Sequence, residues 1–94
     1  GSREVLCCEL YTERYFMSSM EDLRRAVNDI NMEINNQIYV TLEDFYDSIG
    51  LKHTSHSAEL GWTSDKLLEL EFSTVMTEDG RPCLAFQYNY LQPI

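Results

Sequence analysis

Basic residues are the scarcest feature of this chain. Seven Lys and Arg stand against sixteen Asp and Glu, a formal charge of −9 over 94 residues. Nucleic-acid binders gain affinity from basic patches that release counterions from phosphates. Here the only adjacent basic pair, Arg24-Arg25, sits among Glu21, Asp22 and Asp29. Direct nucleic-acid binding and unaided docking on anionic lipid are both disfavoured. Long apolar runs are missing too: none approaches the roughly 18–20 residues of a membrane helix, and no signal peptide is visible. Cysteine is sparse and odd in number, at Cys7, Cys8 and Cys83. Adjacent cysteines seldom bond each other, so no disulfide framework is expected, and the setting reads as reducing and cytoplasmic. Linkers, repeats and low-complexity tracts are absent, so residues 3–94 are expected to form one domain. Gly1-Ser2, with no initiator Met, reads as a vector remnant attached to an excised domain.

What is present suits a small folded core. One Trp, six Tyr and four Phe in so short a chain argue against intrinsic disorder. The stretch from Thr41 to Leu51 is written as a complete helix. Thr41 can cap it, with Asp44 three residues on as the reciprocal partner. Leu42, Phe45, Tyr46 and Ile49 fall on one face, and Gly50 stands where a left-handed terminator is wanted. A longer helix precedes it. Leu23, Ala26, Val27, Ile30 and Ile34 repeat at helical spacing, while Arg24, Arg25, Asn28, Asp29 and Glu33 take the wet face. Ser18 and Ser19 both offer an N-cap, Ser18-Ser19-Met20-Glu21 fits a capping box with Glu21 reaching back, and Asn35-Asn36 is expected to stop the helix in a left-handed turn.

Strands are expected on both flanks. Glu4 to Met17 is β-rich, with a reversal near Thr12-Glu13 that no Gly or Asn marks. The charge of Glu9 favours a register with Leu6, Cys8 and Leu10 toward the core and Val5, Cys7 and Tyr11 away from it. Gln37 to Val40 is a short link, Lys52 to Glu59 a loop, and Leu60-Gly61-Trp62 returns to the core. Gly61 there implies close backbone approach beside a buried indole. Leu67 to Phe72 and Cys83 to Leu91 both alternate, with Asp79-Gly80 marking the turn between them. The fold class is therefore α+β: a small antiparallel sheet with a C-terminal β-hairpin and two helices packed on one face.

Candidate chemistry is thin. His53 and His56 lie three apart near Asp47 and Glu59 and are weak metal candidates, because zinc wants three or four converging ligands. Cys7 and Cys8 point to opposite strand faces and read as structural. Glu69 and Glu71, about 7 Å apart by strand rise, resemble a glycosidase pair in spacing alone; alternation on a wet sheet face produces the same pattern. No phosphate-binding Gly-rich loop or nucleophile elbow is present.

The segment Tyr39-Val40-Thr41-Leu42-Glu43-Asp44-Phe45-Tyr46-Asp47-Ser48-Ile49-Gly50-Leu51, then Leu60-Gly61-Trp62-Thr63, then Leu67 to Phe72, resembles the C-terminal domain of a family of uncharacterised proteins. They are encoded by bacteriophages, prophages and related mobile elements of Gram-positive bacteria. In some members an N-terminal hydrophobic segment precedes the domain, which implies a membrane tether for a full-length chain; no such segment stands in this one. The resemblance carries no catalytic residue. The function it leaves is a non-enzymatic protein–protein interaction or assembly domain, without cofactor. The partner is a second copy or another mobile-element protein, and the contact surface is expected at Tyr88, Tyr90 and Leu91, the other reading being that Tyr90, Leu91 and Ile94 finish the core. That last strand is taken as a sheet edge open to pairing. The alternative is a small metal-dependent or hydrolytic module using His53, His56 and a nearby carboxylate.

Overall fold

The computed structural model describes residues 3–94, so the reading of Gly1-Ser2 lies outside the described residues. In chain order the elements are β1 (Val5–Glu9), β2 (Arg14–Ser18), α1 (Met20–Ile34), β3 (Tyr39–Thr41), α2 (Leu42–Ile49), β4 (Leu60–Thr63), β5 (Glu69–Met76), β6 (Pro82–Asn89) and β7 (Gln92–Pro93). They make a four-stranded sheet in the order β2-β1-β6-β5 and a three-stranded sheet in the order β3-β4-β7. Neighbours are antiparallel except β1 and β6, which run parallel. The α+β class, the C-terminal β5–β6 hairpin and the packing of both helices on one sheet face are as the sequence pattern predicts.

The helices form for the reasons their patterns give. In α2, Thr41 N–H donates to Asp44 Oδ2 at 2.9 Å and Asp44 N–H to Thr41 Oγ1 at 3.2 Å, and Gly50 closes the helix at φ 78°. In α1 the buried stripe is Leu23, Ala26, Ile30 and Ile34. Of the two serines able to cap it, one is used, and its C-terminal end differs from expectation. The cap is Ser19, whose hydroxyl accepts from Asp22 N–H at 3.0 Å, because Ser18 is already committed to β2. Asn35 remains right-handed at φ −66°, so no left-handed residue ends this helix.

The first hairpin is turned by a carboxylate in place of Gly or Asn. Glu13 occupies the left-handed region at φ 58°. The Glu9 side chain reaches over the turn to accept from both the N–H and the hydroxyl of Thr12. This reverses the expected facing of β1. Cys7 and Glu9 point under the helices, and Cys7 is part of the main core with Leu23, Phe45, Trp62 and Phe86. Leu6, Cys8 and Leu10 lie on the opposite face. The charge of Glu9 misleads because its cost of burial is offset by hydrogen bonds that local sequence does not reveal.

Trp62 is fully buried on β4 and donates its indole N–H to the Asn89 carbonyl at 2.9 Å. At Gly61 the β3 backbone crosses so closely that an added Cβ would overlap the Val40 carbonyl oxygen. The three-stranded sheet was not expected from the sequence. The chain end supplies its third strand, with Leu60 opposite Pro93 and Ile94 N–H donating to Glu59 O at 2.9 Å. The expectation that the last long strand is an edge is also corrected: β6 lies between β1 and β5, and the edges of its sheet are β2 and β5.

Candidate interaction surface

Three clusters of titratable side chains stand out as places for chemistry. The first centres on Glu9, which has no solvent exposure. Its Oε1 accepts from Thr12, and its Oε2 accepts from the Tyr46 hydroxyl at 2.8 Å and the Tyr88 hydroxyl at 2.6 Å. Burial, then the hydrogen bond to Glu9, pushes the Tyr46 phenol up to about 12. Burial and the Glu9 charge raise Tyr88 as well. Both phenols therefore remain donors. The Arg14 guanidinium lies 5.0 Å over the Tyr46 ring and donates to Thr12 Oγ1 at 2.8 Å and to the Lys52 carbonyl at 2.9 Å. This network ties β1, β2, α2 and β6 together and is sealed from solvent at the carboxylate.

The second cluster holds His53. Its Nε2 is 2.7 Å from Asp47 Oδ1 and its Nδ1 is 3.4 Å from Glu43 Oε2, so both ring nitrogens are engaged by carboxylates of α2. The hydrogen bond to Asp47, then the Glu43 and other α2 charges, raises its pKa. That favours imidazolium, which cannot ligate a metal. The fully buried Ser57 hydroxyl donates to the Thr54 carbonyl at 2.9 Å and contacts Glu43 Oε2 at 3.2 Å. These bonds pin the Lys52–Glu59 loop to α2. The His56 backbone carbonyl accepts from Glu59 N–H at 3.0 Å within this loop. Among the described residues no group of three or more His, Cys, Asp or Glu is arranged around a common point.

The third comprises the thiols, all free and buried. Burial raises Cys7 to about 11 and raises Cys8 and Cys83 too. A raised pKa disfavours the thiolate that nucleophilic or metal chemistry needs.

The sequence-predicted contact residues separate. Tyr88 is partly buried, its ring 5.7 Å from those of Phe45 and Trp62 and 5.9 Å from that of Phe86. Leu91 packs against the same core. Tyr90 alone of the three is at the surface, held at φ 64° with the Lys66 ammonium 5.2 Å from its ring centre.

A different surface emerges from the four-stranded sheet. Its helix-free face carries a cluster made of Cys8, Cys83 and Ala85, with Leu6, Leu10 and Val75 packed around them; every member comes from β1, β5, β6 or the residue just after β1. Cross-strand pairing sets Tyr15 opposite Cys8 and Met17 opposite Leu6 on this same face. Both are 53 % exposed. Sequence reasoning missed the face because Glu9 was assigned to it. The signal that could have found it is the alternation Tyr15-Phe16-Met17, which puts large apolar side chains on both sides of one short strand.

No curated protein and no solved structure matches this chain. The match to a family of unknown function (DUF6353) spans residues 1–94, the whole sequence, and the chain belongs to that family.

Proposed function

We propose that this is a non-enzymatic protein–protein interaction or assembly domain. The observation supporting it is the helix-free sheet face, where Tyr15 and Met17 stand half-exposed beside an apolar cluster that no helix covers among the described residues. Aromatic and Met side chains with little charge at the centre are the composition of an interface core, and contiguous exposed apolar surface marks contact sites. The resemblance of residues 39–51, 60–63 and 67–72 to phage and mobile-element proteins supports an assembly role within such an element, and the free thiols support a cytoplasmic setting.

Site-specific photo-crosslinking in the cell of origin tests this. A crosslinker at position 15 or 17 is expected to capture one recurrent protein, whereas one at Glu33, on the wet face of α1, is not. Equal capture from positions 15, 17 and 33 would refute the assignment of this face.

A further inference from the structure

The edge strand β5 carries a second feature. In an antiparallel pair, the N–H and C=O of alternate residues point to the partner and those between point away. Two observations fix the parity here. Thr77 N–H donates across the turn to the Arg81 carbonyl at 2.8 Å, so the odd-numbered residues face β6. Leu68 faces the other way, and both of its backbone groups are met by one side chain: Asn31 Nδ2 donates to Leu68 O at 3.0 Å and Leu68 N–H donates to Asn31 Oδ1 at 3.0 Å. The Asn31 amide thus stands where a neighbouring strand would be. Beyond it the N–H and C=O of Leu70, Phe72 and Thr74 point along the same open edge, since β5 is last in the sheet and among the described residues pairs only with β6.

Beside that edge runs a groove of about 510 Å³ between α1 and β5. Arg24, Val27, Asn28 and Asn31 line its helix wall at i, i+3, i+4 and i+7, and Leu70 and Phe72 line its strand wall, with Glu69 at its margin. A groove between a helix and an edge strand, with unpaired backbone along one wall, has the geometry of peptide recognition by strand addition. The groove face is apolar at Val27, Leu70 and Phe72, all half-buried. The other face of β5 presents Glu69 and Glu71, both exposed. Charges directly across from one another on paired strands attract when opposite and repel when alike. A second copy of this chain brings another −9 of formal charge, which opposes self-pairing at this edge.

We propose that the β5 edge captures, by strand addition, an extended segment of another protein in which apolar residues alternate with Lys or Arg. Apolar side chains enter the groove between Val27 and Leu70–Phe72, basic ones lie beside Glu69 and Glu71, and Asn31 marks where the added strand stops. This rests on the interaction reading above but uses a different surface.

The probe is the peptide acetyl-Lys-Val-Lys-Ile-Lys-Val-amide, added to the isotope-labelled chain and followed by NMR and amide exchange. Expected are exchange protection of the Leu70, Phe72 and Thr74 amides and at least tenfold weaker binding when Glu replaces Lys in the peptide. Two N-methylated peptides, one blocked at every Lys and one at every apolar residue, should differ at least tenfold, because only one parity bonds to the edge. No binding at millimolar peptide, equal affinity of the two methylated forms, or equal affinity of the Glu peptide overturns the proposal. Protection of the same amides that rises with protein concentration alone overturns it in favour of a second copy. A Tyr15→Glu, Met17→Lys chain is expected to bind the peptide unchanged. Failure here and failure of the sheet-face reading are thereby separated.

Discussion

Replacing Glu9 is the most informative perturbation of the fold. The carboxylate is inaccessible to solvent and accepts from Thr12 N–H, the Thr12 hydroxyl, Tyr46 and Tyr88. Glu9→Ala leaves those donors facing a cavity. An unsatisfied buried donor costs about 1–3 kcal/mol, and breaking one side of a buried charged network costs about 3–5 kcal/mol, since the terms do not add. A domain of this size has about 5–15 kcal/mol in total, so Glu9→Ala is expected to remove a fifth of it or more. Glu9→Gln keeps the shape and one acceptor oxygen, and the tyrosine hydroxyls can rotate to accept from its amide; about 1–2 kcal/mol is expected. Urea unfolding followed by the fluorescence of Trp62, the only Trp, measures both. A cycle of Glu9→Gln with Tyr88→Phe should show a coupling of about 1 kcal/mol or more. Glu9→Ala within about 0.5 kcal/mol of the parent, or additive cycle terms, would refute the claim that this network holds the hairpin to the core.

Trp62→Ala removes a fully buried indole and its bond to Asn89; a loss of about 3–5 kcal/mol is expected, and unchanged thermal melting followed by circular dichroism would mean the indole is not a core element. For His53 the folded pKa is raised, chiefly by the Asp47 hydrogen bond, so its contribution is fully present below the unfolded value of about 6.5 and is lost as pH rises through the raised folded value. Asp47→Asn should lower the His53 ring titration seen by NMR, and the melting difference between parent and variant should shrink as pH rises; a titration unchanged by the substitution refutes the Asp47–His53 pairing.

The helices were legible because their signals are local. The Thr41–Asp44 box, the Leu42, Phe45, Tyr46 face and Gly50 all lie within ten residues, and each does what its spacing implies. The Asp79-Gly80 turn is similar: Gly80 takes φ 83° and the flanking strands pair from Met76–Pro82 to Glu69–Asn89. What was not legible depends on partners far along the chain. The Leu60–Trp62 return was visible, but its neighbours are β3, twenty residues earlier in the chain, and the terminal Gln92–Pro93. No local pattern announces a two-residue strand. The helix-free face and the β5 edge were hidden for the same reason, since strand order in a sheet is set by pairings that alternation alone does not encode.

The facing of β1 shows how local apolarity and tertiary satisfaction can oppose each other. Judged by side chains alone, Leu6, Cys8 and Leu10 are the better inward set, and a one-residue slip would place them there while freeing Glu9 to water. That slip is opposed by what it strands. Tyr46 and Tyr88 would lie deep in the core with hydroxyls and no acceptor, and Thr12 would lose the oxygen that accepts its N–H in a turn containing a left-handed Glu13. Each stranded hydroxyl costs about 1–3 kcal/mol, comparable with the gain from burying one more aliphatic side chain, about 1.5–3 kcal/mol. On apolar burial alone the slipped register would be favoured, and the hydrogen bonds converging on one carboxylate offset that advantage. By the same step the apolar set is left on the outer face, so the residue that pins the hairpin also leaves Tyr15 and Met17 facing outward.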